Sequence, residues 1–189
     1  MLNRPSSWKR FFATVAISSC LVGSIPLISH AQGGLTIFSG VNRENILNYY
    51  LDYNGKKHNR DRYKLRIAGK KLTDGASKFF IAYPDYFDGK FDVDMDYTED
   101  PDDNPVEVRI KTGGKQESLP LRNVILDEES RIIEIELEEP LRESRKVEIV
   151  FSNVRNPDVG TYYFHCDVLP AADLPIRRYV GSWIISINP

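Results

Sequence analysis

The chain has 189 residues, 28% of them charged, and its 27 acidic and 25 basic residues give a formal net charge of −2. Nucleic-acid binding needs a concentrated basic surface, so this mildly acidic composition predicts no nucleic-acid partner. The same balance argues against recruitment to anionic lipid by charge alone.

Residues 1–31 have the three parts of a secretory signal peptide. A positively charged start precedes an apolar run over residues 11–28, and Ser29-His30-Ala31 supplies a small-x-small cleavage site. Cleavage before Gln32 would remove three basic and no acidic residues, which changes the formal charge from −2 to −5. We therefore expect an exported protein, periplasmic or extracellular, with no transmembrane segment in its mature chain. The three basic residues are Arg4, Lys9 and Arg10.

The same segment offers two alternatives to cleavage. The apolar run is long enough for an uncleaved anchor, but Pro26 and the cleavage triplet argue against one. The residues Ile17-Ser18-Ser19-Cys20 resemble a bacterial lipobox, in which the Cys is acylated. The residues after Cys20 stay apolar through Ile28, as they would in the middle of a signal core. Lipid anchoring through Cys20 is therefore kept only as an alternative.

The mature chain would keep a single cysteine, Cys166, so no intramolecular disulfide can form. A lone exported thiol can be reactive, can bridge two chains, or can serve as a small buried apolar residue. The alternation around Cys166 places it among aromatic core residues, which predicts a buried and unreactive thiol.

Apolar and polar residues alternate with period two through the mature chain, which is typical of half-buried strands. The segment 46–53 also fits one face of a helix, but its aromatic content favours a strand. About ten strands at short spacing predict a single all-β domain over residues 32–189, an antiparallel, immunoglobulin-like sandwich. Its outward faces are charged and mixed in sign, which predicts no broad apolar binding surface. The predicted strands are 35–38, 46–53, 63–67, 79–83, 91–97, 106–110, 121–126, 133–137, 147–151, 160–168 and 179–187.

The last two strands carry the predicted keystone of the core. Alternation places one set of side chains of each strand inward: Tyr162, Phe164, Cys166 and Val168 on the first, and Tyr179, Gly181, Trp183, Ile185 and Ile187 on the second. The order Asp158-x-Gly160-x-Tyr162 resembles the tyrosine corner of immunoglobulin-type sandwiches, in which the Tyr hydroxyl bonds back to nearby backbone. The cysteine of those sandwiches is replaced by Phe164, so the likeness concerns fold alone.

An acidic cluster is the most conspicuous candidate for metal binding. Asp92, Asp94 and Asp96 would lie about 7 Å apart along one strand face, too spread to chelate one ion. The loop 98–104 is the better calcium candidate, although Tyr97 stands where the calcium-loop signature needs Gly. A solvated acidic face that protects a strand edge is the favoured interpretation of the cluster. The candidate calcium ligands are Glu99, Asp100, Asp102 and Asp103.

Other chemistry has few residues to draw on. His165 and Asp167 would share a strand face while Cys166 points away, so copper or zinc would need His58 brought alongside. No G-x-S-x-G elbow and no phosphate-cradling loop are present. Paired carboxylates for polysaccharide hydrolysis stay possible, because pairing is invisible in sequence. The cluster Arg60-Asp61-Arg62-Tyr63 is interpreted as a positioning ion pair.

Several short blocks extend over nearly all of the mature chain. They are Leu47–Tyr49 with Leu51–Asp52, Asp61–Tyr63, Tyr83–Asp85, Gly89–Asp92, Asn156–Pro157, Gly160–Phe164 and Arg178–Ile184. Together these blocks resemble a secreted cyanobacterial domain family of unknown function. The resemblance implies export and a β-rich domain, and it supplies no catalytic residue.

The sequence therefore predicts an exported, non-enzymatic protein that binds, or forms part of, the cell envelope or extracellular matrix. It predicts no catalytic residue and no cofactor, and it leaves the envelope or matrix partner unidentified. The alternatives are a periplasmic calcium- or copper-binding module and a carboxylate-dependent hydrolase of envelope polysaccharide.

Overall fold

The computed structural model describes residues 41–94, 104–112, 114–172 and 176–189. These residues form ten strands and two short 3₁₀ turns, Arg43–Asn45 and Gly69–Lys71, which confirms an all-β chain of about ten strands. The predicted strand 35–38 and the predicted signal peptide lie outside the described residues. The strands are β1 (Ile46–Leu51), β2 (Arg60–Ile67), β3 (Ala76–Ala82), β4 (Val106–Thr112), β5 (Lys115–Leu119), β6 (Leu121–Asp127), β7 (Ile132–Leu141), β8 (Val147–Arg155), β9 (Gly160–Leu169) and β10 (Arg178–Ile187).

All ten strands belong to one hydrogen-bonded sheet, in the order β5-β4-β8-β2-β1-β10-β9-β3-β7-β6. The two outer strands, β5 and β6, follow each other in the chain with only Pro120 between them, so the sheet curls until it is nearly closed. The sheet wraps a continuous apolar core. A single nearly closed sheet differs from the two separate sheets of an immunoglobulin-like sandwich, which stays a prediction.

Strand β1 joins the two halves of this sheet. Its first residues pair with β10 in parallel, Ile46 with Ser182 and Leu47 with Trp183. Its remaining residues, 48–51, pair with β2 in the antiparallel sense. The prediction of a wholly antiparallel domain is therefore wrong at β1, because one strand pairs in both senses along its length.

The alternation in β2 shows how the core is built. Tyr63, Leu65 and Ile67 are fully buried, whereas the residues between them point outward. Trp183 on β10 is also fully buried, and its indole N–H donates to the backbone carbonyl of Arg66 on β2 at 3.3 Å. The indole thus connects the two halves of the sheet from inside the core.

Strand β9 follows its predicted pattern. Tyr162, Phe164, Cys166 and Val168 are all buried. Burial raises the pKa of the Cys166 thiol, which disfavours the reactive thiolate. The Tyr162 hydroxyl donates to the backbone carbonyl of Asp158 at 2.9 Å, so the predicted tyrosine corner is present.

Strand β10 departs from its predicted face at one residue. Trp183, Ile185 and Ile187 are buried as expected, but Tyr179 is 45% exposed. The register shifts between Tyr179 and Gly181, so this β-bulge reverses the orientation of the strand's first residues. A Cβ on Gly181 would lie 2.5 Å from the Asn45 carbonyl oxygen, which explains why no side chain stands there.

Two strand predictions need correction. Residues 91–94, the described part of the predicted strand 91–97, form no strand; only an isolated bridge joins Lys90 to Arg155. Phe91 nevertheless packs against the Phe87 and Phe151 rings, with centroids 5.3 Å away in each case. The apolar residue in this acidic segment is thus explained by a loop that inserts the Phe91 ring into the core, and not by strand alternation. Conversely, β5 was missed, because its largely exposed side chains show no apolar alternation.

Asp61 organises the turn between β1 and β2. Its carboxylate is 1% exposed and accepts hydrogen bonds from the backbone N–H groups of Tyr53 at 2.9 Å and Gly55 at 2.8 Å. Asn156 donates to the Lys56 carbonyl at 2.8 Å and so holds the same turn. The interpretation of Asp61 as an ion-pair partner is wrong, because backbone N–H groups, that of Arg62 among them, satisfy this carboxylate instead of the flanking guanidinium groups.

Candidate anion-binding site

One outer surface of the sheet concentrates cationic side chains. On β2, alternation turns Arg62, Lys64 and Arg66 outward, since the intervening residues are buried. Arg109 and Lys111 project from the same surface on β4, and Lys146 precedes β8. We call this surface, on β1, β2, β8 and β4, the basic face.

Two carboxylates of the basic face lie beneath its cations, whereas a third, Asp52, pairs with Lys64 at 2.8 Å and is similarly exposed, 20% against 22%. Glu107 and Glu148 are only 5% and 8% exposed. Arg62 Nη2 lies 3.0 Å from Glu107 Oε1, and Arg109 Nε lies 2.7 Å from Glu107 Oε2. Arg66 Nε donates to Glu148 Oε2 at 2.7 Å. These bonds fix the guanidinium groups while the acids stay close to the sheet.

An apolar residue beneath the basic face shows how densely it is covered. Val150 pairs with Lys64 on one side and Glu107 on the other, which places its side chain on the outer surface. It is nevertheless fully buried. Long cationic side chains cover apolar surface with their methylene stems while their charged ends reach water. The charged layer is therefore ordered by packing as well as by ion pairs.

A recess of about 270 Å³ opens within the basic face. Its only carboxylate, that of Glu148, accepts hydrogen bonds from Arg66 and, at 3.2 Å, from Gln116 Nε2. Lys111 and Lys146 on the rim are exposed to solvent. The recess therefore has an excess of positive charge. Its lining residues are Arg66, Arg109, Ile110, Lys111, Gln116, Lys146 and Glu148.

An exposed aromatic ring stands beside the cations. Tyr50 on β1 is 52% exposed and pairs directly with Lys64 on β2. The Lys64 ammonium and the Arg66 guanidinium each lie 5.9 Å from the centroid of the Tyr50 ring. Cations at this distance interact favourably with the ring and hold it in place. An anionic group in the recess and an apolar ring face on Tyr50 could thus be contacted together.

Larger recesses lie elsewhere on the sheet but carry both signs of charge. The one between β4, β5 and β6 has a volume of about 540 Å³, and Glu107, Arg122 and Glu138 are among its lining residues. Opposite charges of this kind give no preference for an anion or a cation. The basic face is the stronger candidate because its excess charge and its geometry agree.

The histidines of the predicted copper or zinc site are not brought together. His58 Nε2 lies 2.8 Å from Asp158 Oδ1, beside the start of β9. His165 lies five positions into β9, about 17 Å along the strand from Gly160. Across residues 41–94, 104–112, 114–172 and 176–189, no group of three or more His, Cys, Asp or Glu side chains could hold a metal ion.

His165 instead belongs to a short hydrogen-bonded chain. Its Nδ1 lies 2.7 Å from Ser182 Oγ, which lies 2.6 Å from the Tyr179 hydroxyl. Ser182 is fully buried, so its hydroxyl positions its two neighbours and is not accessible to a substrate. Burial lowers the pKa of His165 below its ordinary value of 6.5, while the Asp167 carboxylate opposes the shift.

The acidic cluster is only partly described. Asp92 accepts a hydrogen bond from Asn153 Nδ2 at 3.0 Å. Asp92 and Asp94 lie in a segment that is not a strand, so their predicted common strand face is wrong. Asp96 and the predicted calcium ligands Glu99, Asp100, Asp102 and Asp103 lie outside the described residues.

The basic face was missed, although β2 carried its signal. Three outward cations in succession were visible in the sequence, but the outward faces were predicted to be mixed in sign as a whole. The pairing of β2 with β8, and of β8 with β4, places the cations of β2 and β4 on one surface. A net charge averaged over the chain conceals such a surface. The prediction of no nucleic-acid partner rested on that average and stays a prediction.

The fold and its basic face define an all-β domain with a candidate site for anions. A family model described as a protein of unknown function, DUF2808, matches residues 35–187. The chain belongs to this family, as the resemblance to a family of unknown function predicted. The cyanobacterial source and the secretion that the resemblance implied stay predictions.

Three solved structures are distantly similar to this chain. A bacterial hydrophobin, BslA, is 12% identical, with a TM-score of 0.47 over 76% of this chain and 97% of that chain. The collagen-binding domain of a Staphylococcus aureus adhesin is 8% identical, with a TM-score of 0.41 over 76% and 97%. The C-terminal domain of the Streptococcus pyogenes antigen I/II-family protein AspA is 10% identical, with a TM-score of 0.37 over 74% and 46%. Similarity at this level says nothing about the ligand of this chain.

No curated protein matches the sequence. Within the described part of the chain, none of the helices has the length and apolar character needed to cross a bilayer.

Proposed function

We propose that this protein is an exported, non-enzymatic binding protein of the cell envelope or extracellular matrix, and that it holds an anionic polymer on its basic face. The observation that carries the proposal is the arrangement of charge on β2, β8 and β4. Cationic ends point outward while the carboxylates of Glu107 and Glu148 are buried beneath them. The predicted signal peptide over residues 1–31 supports the proposed location.

A polymer suits this surface better than a small ion. The cations are spread over three neighbouring strands, so a flexible chain with many anionic groups can contact several of them at once. After the first contact forms, the others form within the same complex and so raise the affinity. Counterions released from the polymer raise it further. Surface contacts of this kind are screened by salt, so binding is expected to weaken steeply as ionic strength rises.

The proposal is tested with three polysaccharides of different charge. We expect the protein to bind polygalacturonate and dextran sulfate at low salt and to release both at high salt. We expect no binding of neutral dextran. Calorimetric titration or biolayer interferometry measures each affinity. Equal binding to neutral dextran, or no binding to either charged polymer at low salt, would overturn the proposal.

The two alternatives have their own tests. Titration with calcium and with copper addresses the metal-binding module, which is rejected if neither heat nor a change in melting temperature is seen. Release of reducing ends from the same polysaccharides would indicate a hydrolase. Turnover that a single Asp or Glu substitution abolishes would replace the non-enzymatic proposal.

The immunoglobulin-like character of the fold belongs to the same proposal. The hydrogen bond from Tyr162 to the Asp158 carbonyl supports it, because this contact is a recurring feature of immunoglobulin-type sandwiches.

A further inference from the structure

We infer that the basic face recognises a specific kind of polyanion, an acidic glycan, by placing one carboxylate or sulfate in the recess between β2, β8, β4 and β5 and another sugar ring of the same chain against Tyr50. The inference rests on the proposed function and adds the ligand class and the residues that select it.

The recess favours a negatively charged group for an electrostatic reason. Four cationic side chains and one carboxylate line it. That carboxylate is bonded to Arg66 and Gln116, and Arg109 is bonded to Glu107, so Lys111 and Lys146 supply the excess charge. The positive charges repel one another, so an anion between them relieves the repulsion and accepts charge-assisted hydrogen bonds. Lys111 and Lys146 are exposed and flexible enough to adjust to the bound group.

Arg66 connects the recess to the aromatic ring. Its Nε is held by Glu148 at 2.7 Å, and its guanidinium carbon lies 5.9 Å from the Tyr50 ring centroid. The same side chain therefore lines the recess and orients the ring. A ligand that combines an anion with an apolar ring face can use both features, whereas a simple anion can use only the recess.

The distance across the strands fits several sugar units. Tyr50 is on β1, and the recess reaches β4, three strands away in the sheet order β4-β8-β2-β1. Neighbouring strands are about 4.8 Å apart, so β1 and β4 are separated by about 14 Å across the basic face. A monosaccharide is too short to contact both ends, and an acidic oligosaccharide is long enough.

Polar and aromatic groups are interleaved along this path. Tyr50 lies opposite Lys64, which lies opposite Val150 and then Glu107. The next row contains Asn48, Arg66, Glu148 and Arg109 in the same order of strands. A ligand chain that runs diagonally, from Tyr50 in the first row to the recess residues of the second row, therefore meets a ring, then cations, then the recess.

Two charge reversals test the recess. Lys111→Glu and Lys146→Glu should each weaken polygalacturonate binding about tenfold at low salt, because an attractive contact is replaced by repulsion. Lys57→Glu is the matched control, since Lys57 is an exposed lysine in the turn between β1 and β2 and does not line the recess. Circular dichroism and melting temperature verify that each variant is folded.

A second pair of variants tests the ring. Tyr50→Ala should weaken binding of polygalacturonate and dextran sulfate about fivefold and leave binding of polyglutamate unchanged, because polyglutamate carries carboxylates without sugar rings. Tyr53→Ala is the control, since Tyr53 is an exposed tyrosine, 64% accessible, outside the basic face. Comparison of polygalacturonate with dextran sulfate distinguishes carboxylate from sulfate as the preferred anion.

The outcomes separate this inference from the proposed function. Equal losses for the Lys57, Lys111 and Lys146 variants would overturn the recess and leave general polyanion binding intact. Equal losses for polyglutamate and polygalacturonate with Tyr50→Ala would overturn the sugar-ring contact. Tighter binding of duplex DNA than of either glycan would overturn the glycan class. Absence of binding to every polyanion would instead reject the proposed function itself.

Discussion

The basic face and the outer surface of β9, β3 and β7 are built on the same strand alternation but distribute charge differently. We call the second surface the balanced face. There, the Lys78 ammonium lies 3.5 Å from Glu134 and 3.2 Å from Glu136, and all three side chains are 24–34% exposed. On the basic face, the side chains of Glu107 and Glu148 are only 5% and 10% exposed while their arginine partners reach further out.

The difference shows that the depth of a carboxylate determines the sign of the charge that the surface exposes to solvent. On the balanced face, both partners of each ion pair end at the surface, so their fields largely cancel there. On the basic face, the Glu107 and Glu148 carboxylates lie deeper than their cations, although Asp52 is level with Lys64, so an excess of positive charge faces outward. A protein of net negative charge can therefore present a basic surface, and association depends on this local potential more than on the total.

The largest expected effect comes from the indole that connects the two halves. Trp183→Ala should lower the free energy of unfolding by about 3–5 kcal/mol, because it leaves a cavity in the core and removes a bond to the Arg66 carbonyl. Urea denaturation followed by circular dichroism measures the loss. One cooperative transition would show that both faces depend on one core, and a loss well below 1 kcal/mol would mean that Trp183 is not part of it.

A smaller effect is expected beneath the basic face. Glu107→Gln should cost about 2 kcal/mol, because two guanidinium groups lose a charged partner and stay partly in water, which keeps the loss below that of a fully buried pair. Glu134→Gln on the balanced face is the matched control and should change stability by less than about 0.5 kcal/mol. Equal losses of stability for the two substitutions would contradict the proposed difference in carboxylate depth between the two faces.

The same pair of variants can be compared for binding. Glu107→Gln removes a negative charge from the basic face, so it should tighten polygalacturonate binding even as it lowers stability. Glu134→Gln should change affinity little, because it acts on the opposite half of the sheet. Weaker binding by a folded Glu107→Gln variant would mean that this carboxylate positions Arg62 and Arg109 for the ligand.

The smallest effect concerns acid on the half of the sheet that carries the balanced face. Burial holds the pKa of His165 below 6.5, so between about pH 7 and pH 5 the unfolded chain takes up a proton more readily than the folded one. Stability should therefore fall as the pH drops through that window. His165→Gln should reduce this slope, whereas His58→Gln, at an exposed histidine, should retain the His165 contribution. Denaturation at several pH values measures both, and identical slopes for the wild type and His165→Gln would refute the assignment.

Local alternation was a sound guide wherever a strand is half-buried by its own sheet. The inward residues of β2 and β9 and the tyrosine corner at Tyr162 followed from sequence alone. Alternation failed where another contact governs the side chain. Phe91 enters the core from a loop, and Tyr179 is turned outward by a bulge beside Gly181.

The candidate site was less predictable, because it depends on long-range pairing. The outward cations of β2 were evident, but nothing local placed β4 two strands away, or set Glu107 between Arg62 and Arg109. The polar network around Asp61 and Asn156 joins residues that are 95 positions apart in the chain. Such contacts follow from sheet order, which a single sequence does not determine.

The mixed pairing of β1 also has a mechanical consequence. β1 and β10 are the first and last strands of the described residues, and they run in parallel; an isolated parallel bridge between Lys56 and Asn188 extends the alignment. A force that pulls residues 41 and 189 apart would load these hydrogen bonds in shear, all at once, instead of peeling them one by one. Stretching single molecules between these two points should therefore require more force than stretching across the β6–β7 hairpin. This seam would therefore raise the force that the domain withstands when it is held at these two points.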